Sequence, residues 1–291
     1  MVCLITSLPR FRIAFCALLA VLVVGCASWK ESATRDPAIE RSSGSIGENR
    51  KRVNLEVEFV NIAVNADDID QSASLWQWID ETAIDASTRR TLLANGIRVG
   101  FVASEEHFRQ RLAKSTIERD VVETFLSHAS VASDVARGEK LIPMRLGHRY
   151  ELALQQPIAG SHVAMVRADG ETIGRTLSNP QYFLAITPTQ ASGIKQVDLH
   201  FRPEIQFGEA RQKRVSSDMG LRIETRRDRW SIPELDLAVT ASERDMLVIA
   251  ATTPATGLAK QMLMGSDSDN SQEQVVVIVR VAQVPSAVDN L

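Results

Sequence analysis

Gln274-Val-Val-Val-Ile-Val-Arg-Val281 is the stretch that decides how this chain folds. Val275 to Val279 are consecutive β-branched apolar residues, which suit a pleated strand and leave neither face polar. Such a strand is expected to run centrally in a sheet and to be covered on both sides. Working back toward the N-terminus, short apolar runs alternate with turn signals at Asp169-Gly170, Asn179-Pro180 and Ser192-Gly193, and with the polar stretch Gly265 to Gln274. That rhythm predicts antiparallel strands over 149–154, 162–167, 172–177, 182–187, 196–201, 221–225, 235–240, 246–251 and 274–281.

The N-terminal half reads differently. Val53, Leu55, Val57 and Phe59 alternate with Asn54, Glu56 and Glu58, a strand with one wet face. Ser74 ahead of Leu75, Trp76, Trp78 and Ile79, and Ser87 ahead of Leu92, Leu93 and Asn95-Gly96, predict two short helices with serine caps and a glycine stop. A strand follows at Ile97 to Val102. Ser104, with Glu105 and Glu106 behind it, predicts a third helix that carries Phe108, Leu112, Ile117, Val121, Val122, Phe125 and Leu126 and ends between His128 and Gly138. The expected fold class is α+β: a helical N-terminal segment, with helices within 74–137, packed on a predominantly antiparallel β-rich unit at 141–285. Together they form one globular domain over 53–285.

Residues 1–25 hold Arg10 and Arg12, no acid, and the apolar run Ile13 to Gly25. This is the layout of an export signal, and the run is shorter than the roughly 20 residues a bilayer-spanning helix needs. Leu22-Val-Val-Gly-Cys26 resembles the lipobox of bacterial lipoproteins. The resemblance implies cleavage before Cys26, a diacylglycerol on its thiol, and membrane attachment; Ala27 after it implies outer-membrane sorting if the envelope has two membranes. Cys3 and Cys16 would leave with the signal, so the mature chain could form no internal disulfide. Residues 26–52 are rich in Ser, Gly and charge and lack apolar periodicity, which predicts a flexible tether. Its mean reach would be about 25–30 Å.

Three segments of the last third resemble the C-terminal β-core of secretins, the outer-membrane channels of bacterial secretion and pilus systems. They are Val197-Asp-Leu-His-Phe-Arg-Pro-Glu-Ile205, then Leu237-Ala-Val-Thr240 leading to Arg244-Asp-Met-Leu-Val-Ile-Ala-Ala251, then Gln272-Glu-Gln-Val-Val-Val-Ile-Val-Arg-Val281. The strand from Val53 is similar to the one that opens that core. The chain lacks the proline and glycine signature before the closing strand, and no long alternating hairpin able to line a pore is expected. The resemblance therefore implies a relative without a pore, or an accessory of an envelope complex.

Motifs for chemistry are sparse. The whole chain carries 33 basic and 36 acidic residues, a net charge of −3 that argues against nucleic acid as a partner. His107, His128, His148, His162 and His200 fall on separate elements without metal-ligand spacing. Ser43-Gly-Ser-Ile-Gly47 and Met264-Gly-Ser-Asp267 miss the nucleophile-elbow spacing, and no phosphate loop is present. Neither a metal nor a cofactor is expected. Asn65 to Asp70 and Asp267 to Glu273 cluster oxygen ligands but read as solvated turns. Trp76 and Trp78 read mainly as core. The segment 211–229 is locally basic, and Arg222, Arg226, Arg227 and Arg229 form its candidate surface for an anionic partner, set against a solvated hairpin guarded by charge. The expectation is a lipid-anchored, non-catalytic docking component that meets a protein partner in the envelope. The alternative is an envelope hydrolase acting on glycan, with two carboxylates about 5–9 Å apart assembled from distant strands.

Overall fold

The computed structural model describes residues 52–64, 74–117, 138–217, 220–268 and 271–285, with the backbone alone at 213–224 and 266–271. The main sheet has seven strands, all antiparallel, in the order β2 (Ile79–Asp80), β3 (Ile97–Val102), β12 (Met246–Ala251), β14 (Ser271–Gln283), β1 (Arg52–Val64), β4 (Gly138–Arg145), with β13 (Met264–Ser268) also paired to β14. A second sheet runs β10 (Gly220–Ser231), β9 (Gln196–Ser217), β8 (Gln181–Gln190), β5 (Tyr150–Ala153), with β11 (Leu237–Ser242) beside β9. β6 (Ser161–Ala168) and β7 (Glu171–Ser178) form a separate hairpin, turned by Asp169 and Gly170, both at positive φ.

The apolar run of β14 does lie inside the main sheet with both faces covered. Val277, Val279 and Val281 join β12's Leu247, Ile249 and Ala251 in a large core against the second sheet, which contributes Leu184, Ile186, Leu199, Phe201 and Leu237. Val276 and Ile278 join Met246, Val248 and Ala250 in a smaller core on the other face, closed by Leu75, Trp76, Phe108 and Leu112. β1 changes allegiance along its length. Val53, Leu55, Val57 and Phe59 face the large core, whereas Val60, Ile62 and Val64 face the small one. Strict alternation then leaves Asn54, Glu56 and Glu58 on the small-core face, at the end where that core has stopped, and this is why those positions are polar.

The expected helical N-terminal segment is corrected: the described residues are mostly antiparallel β-sheet, and the helices are short and interspersed. Strands β1 and β3 from the N-terminal half pair with β14 and β12 from the C-terminal end, so no helical block stands apart from the sheet. Helix α1 (Ala86–Ala94) is capped by Asp85, which accepts from the Ser87 and Thr88 amides, and not by Ser87. Helix α2 (Glu105–Ser115) stops well short of His128, because Thr116 takes extended backbone and bridges to Ile62 of β1; 118–137 lies outside the described residues. Of the first expected helix, residues 74–76 are helical, but Ile79 belongs to β2.

Helix α3 (Gly257–Leu263), which sequence reading missed, buries Leu258, Ala259, Met262 and Leu263 in the large core. Its start is locked to the end of α1. Gly96 sits at φ +75°, and a Cβ there would lie 2.0 Å from the Thr256 carbonyl oxygen, so the close approach demands glycine.

Candidate interaction surface

The basic segment 211–229 falls on β9 and β10, which form a longer hairpin than sequence reading gave. β9 pairs with β8 as far as Gln206, opposite Gln181. Beyond it, Phe207–Ser217 pairs only with Gly220–Asp228 among the described residues, as a two-stranded ribbon running off the end of the second sheet. The composition allows this: after Phe207, which packs at the margin of the large core, Gly208-Glu-Ala-Arg-Gln-Lys-Arg-Val-Ser-Ser217 has no apolar alternation. The same lack of an outward apolar band sets it apart from a pore-lining hairpin. The register breaks between Arg226 and Asp228, a bulge that bends and twists the ribbon where it leaves the sheet.

The four arginines play different roles. Arg227 occupies the bulge; its Nε donates to the Gly208 carbonyl at 2.9 Å and a terminal nitrogen donates to the Asn179 carbonyl. Burial pushes its guanidinium below the ordinary arginine value. Arg229 lies over the sheet, its Nη1 3.5 Å from Glu151 Oε1 and 3.7 Å from Glu204 Oε2. Arg149 ion-pairs with the same two carboxylates, Ser231 Oγ donates to Glu204 at 3.2 Å, and Gln206 Nε2 donates to Glu151 at 2.7 Å. Glu204 is 2 % exposed, so its charge depends on those partners. Arg227 and Arg229 thus hold the root of the ribbon. Arg226 is exposed on the ribbon itself, opposite the exposed Arg211, and Arg222 pairs through its backbone with Val215. Glu204 as the pivot was not legible beforehand, beyond being an acid set between apolar Phe201 and Ile205.

Cys26 and the expected tether as far as residue 51 lie outside the described residues, as does the turn at 65–70, while Arg52, read as the end of the tether, is the first residue of β1. Trp76 is core, with the Arg98 guanidinium 4.0 Å above its ring, whereas Trp78 is half-buried and stacks on His107 at 4.4 Å. Among the described residues no cluster of three or more His, Cys, Asp or Glu is placed to hold a metal ion, and no helix is long and apolar enough to cross a membrane.

Two pairs of carboxylates do come together from separate strands. Glu56 and Glu139 share a hydrogen bond that, with burial, raises the Glu56 carboxyl, while Arg280 sits 3.9 Å from Glu56. Glu151 and Glu204 are bridged by Arg149 and Arg229. Both pairs are held by arginine, and neither lines the open groove of roughly 520 Å³ that lies between α1 and the β6–β7 turn, bordered by Arg90, Thr91, Arg167, Asp169 and Glu171. The segments that resemble secretins divide between the sheets: 197–205 and 237–240 are neighbours in the second, 246–251 and 272–281 in the main one. No family model, curated protein or solved structure matches this chain.

Proposed function

We propose that this chain is a lipid-anchored docking component of a bacterial envelope complex, acylated at Cys26 and joined to an acidic protein surface through the β9–β10 ribbon. The carrying observation is the ribbon: beyond Phe207, which packs at the margin of the large core, its two strands run past the last residue paired with β8 and, among the described residues, pair with each other. Ordering so many residues outside a core costs conformational entropy that the ribbon's own hydrogen bonds barely offset. Arg211 and Arg226 stand directly opposite one another across the ribbon and are both exposed, a placement that suits an acidic surface. The segments similar to secretins support an envelope complex as the setting. Rigid anchoring of the root by Arg227 and Arg229 would present the ribbon in one direction, which lowers the entropy lost on docking.

A photocrosslinking amino acid placed at Arg211 or Gln212, in cells making the full chain, tests this. The expected result is one discrete adduct that is absent when the crosslinker sits at Asn54 and is abolished by Arg226→Glu. Radiolabelled palmitate should enter the native chain and not Cys26→Ser. Adducts equally abundant from Asn54, or unchanged by the charge reversal, would remove the ribbon from the contact; unlabelled native chain would remove the anchor.

A further inference from the structure

The β6–β7 hairpin has one guarded edge and one open edge. On the β6 side, backbone groups that point away from β7 are taken by side chains: Asn95 bonds both the amide and the carbonyl of Arg167, and Gln261 of α3 donates to the Val163 carbonyl at 2.7 Å. Because the backbone of Arg167 is turned outward, that of its partner Thr172 is turned outward on the other side, and strand alternation gives Gly174 and Thr176 the same direction. Among the described residues, nothing bonds to the backbone of these three on that side, and β7 has no second strand beside it. Residues 171–176 are all exposed. Folded chains usually blunt such an edge with proline, lysine or a bulge. β4, at the edge of the main sheet, carries Lys140 and Pro143, whereas Glu171-Thr-Ile-Gly-Arg-Thr176 carries none of these devices.

Glu171, Ile173 and Arg175 project on one face of this strand. Ile173 is a large aliphatic side chain left 37 % exposed. Neither charge has an ion-pair partner among the described residues; the Arg175 guanidinium lies 4.6 Å over the Trp230 ring, a placement that leaves its N–H edge open to a carboxylate. Within one chain the two cannot meet, since four residues of strand hold them about 13 Å apart. The order acid, apolar, base at every second residue is, however, self-complementary in an antiparallel pair. When Ile173 of one copy faces Ile173 of a second, Glu171 faces Arg175 on both sides of the axis. Thr172 then faces Gly174, and these are residues whose backbone groups point outward, so hydrogen bonding and charge select the same register. A slip by two residues sets Ile173 opposite a charge. A slip by four sets Arg175 against Arg175 or Glu171 against Glu171.

We infer that β7 is the seat of a two-fold contact with a second copy of this chain, the two β7 strands pairing antiparallel about Ile173 so that two hairpins become one four-stranded sheet. A two-fold contact uses the same patch on both copies, and this patch is its own complement. Met165, 53 % exposed, adds to the seam on the opposite face: it stands over Gly174, its Cγ 3.9 Å from where a Cβ would be, and the absent side chain leaves it room to lean toward the edge. The far end of the edge is closed at the root of the ribbon, where Arg227 donates to the Asn179 carbonyl, so pairing over 171–175 stops short of it. So brief a pairing buries less than a standard interface, which sets the expected dissociation constant at about 10–100 µM. The contact uses neither the ribbon nor an acyl group at Cys26, and it stands or falls apart from the proposed function.

The test uses the purified full chain with Cys3, Cys16 and Cys26 replaced by serine and one new cysteine at a time, oxidised at about 100 µM, where such a contact is populated. Ile173→Cys is expected to give a disulfide-linked dimer, because opposed residues at a non-hydrogen-bonded pair approach most closely. Arg175→Cys alone should give about tenfold less, and an equal mixture of Glu171→Cys and Arg175→Cys chains should give the mixed dimer. In the Ile173→Cys chain, Glu171→Arg should cut the yield about tenfold by setting arginine against arginine, and adding Arg175→Glu should restore it. Restoration also excludes misfolding as the cause of the loss. No dimer from Ile173→Cys, an equal yield from Arg175→Cys alone, or a charge-swapped chain as weak as Glu171→Arg would overturn the inference. Hydrogen exchange covers the remaining occupant: Thr172 and Gly174 amides protected in a native chain that sediments as a monomer would assign the edge to a segment of the same chain and overturn it too.

Discussion

Asn95 is fully buried, and its amide does the work of a missing strand residue. Nδ2 donates to the carbonyls of Thr91 and Arg167 at 2.8 and 2.7 Å, and Oδ1 accepts from the Arg167 amide at 2.7 Å. The side chain thus ties the end of α1 to the edge of β6 across 72 residues of sequence. Asn95→Ala should lower stability by about 2–4 kcal/mol, because both backbone groups of Arg167 are left without partners. Asn95→Asp should be worse, since it keeps the acceptor, loses both donors and buries a charge; urea unfolding of the two variants gives the order. Glu56 makes a prediction about pH. Its hydrogen bond with Glu139, followed by burial and the nearby Glu139 charge, raises its carboxyl in the folded chain above its unfolded value. The folded state therefore holds this proton more tightly. The resulting stabilisation is complete below the ordinary carboxylate range and is lost as pH rises through the raised value. Glu139→Gln should bring the Glu56 midpoint down toward its ordinary range, with Arg280 and Arg109 still in place; carbon NMR of the side-chain carboxyl reads it directly, and an unmoved midpoint would assign the shift to burial.

Among the elements, those that were legible in the sequence had either a burial pattern or a turn to mark them. Met246–Ala251, buried throughout, was read to the residue, and 162–167, where burial alternates, to within one; 172–177 buries only Leu177 and was read to within one because the Asp169-Gly170 turn sets it opposite its partner. β4 was not legible, since Gly138-Glu-Lys-Leu-Ile-Pro-Met-Arg145 buries only Met144 and carries charge and a proline on an edge. The hairpin at 211–229 was read from its charge, and its length was missed for a related reason: its two strands pair with each other, and no alternating apolar pattern marks their extent. The arginines at its root were visible as charge, yet Glu151 and Glu204, which decide what Arg229 does, arrive through register. Helix α2 was legible at its start, and what holds it is narrow. Phe108 and Leu112 are the apolar side chains it buries, at 0 % and 4 % exposure, with Arg109 ion-paired to Glu58 of β1. Phe108→Ala should cost about 3–5 kcal/mol by loss of burial and the cavity left behind. If α2 were held chiefly by its exposed ion pairs, the loss would instead be under about 1 kcal/mol.

At the scale of the whole folded unit, the two cores are not independent, because one sheet supplies a wall to each. Leu247, Ile249, Val277 and Val279 point into the large core while Val248, Ala250, Val276 and Ile278, their chain neighbours, point into the small one. Loosening either layer therefore exposes one face of the same strands, and neither layer can be lost while the sheet remains covered. A chain of this size can unfold in stages when its parts have separate cores, but here the shared strands couple them. Leu199→Ala in the second sheet, expected to cost about 2–5 kcal/mol, and Phe108→Ala on the far side should thus shift one common unfolding transition. Tryptophan fluorescence and far-UV circular dichroism should trace it together. Hydrogen exchange gives the sharper reading, since amides of β12 and the middle of β14 should exchange only through global unfolding and should accelerate by the same factor in both variants. If Phe108→Ala sped exchange in α2 and left β12 and β14 untouched, the helix layer would be a separate unit and the sheet would owe its stability to the large core alone.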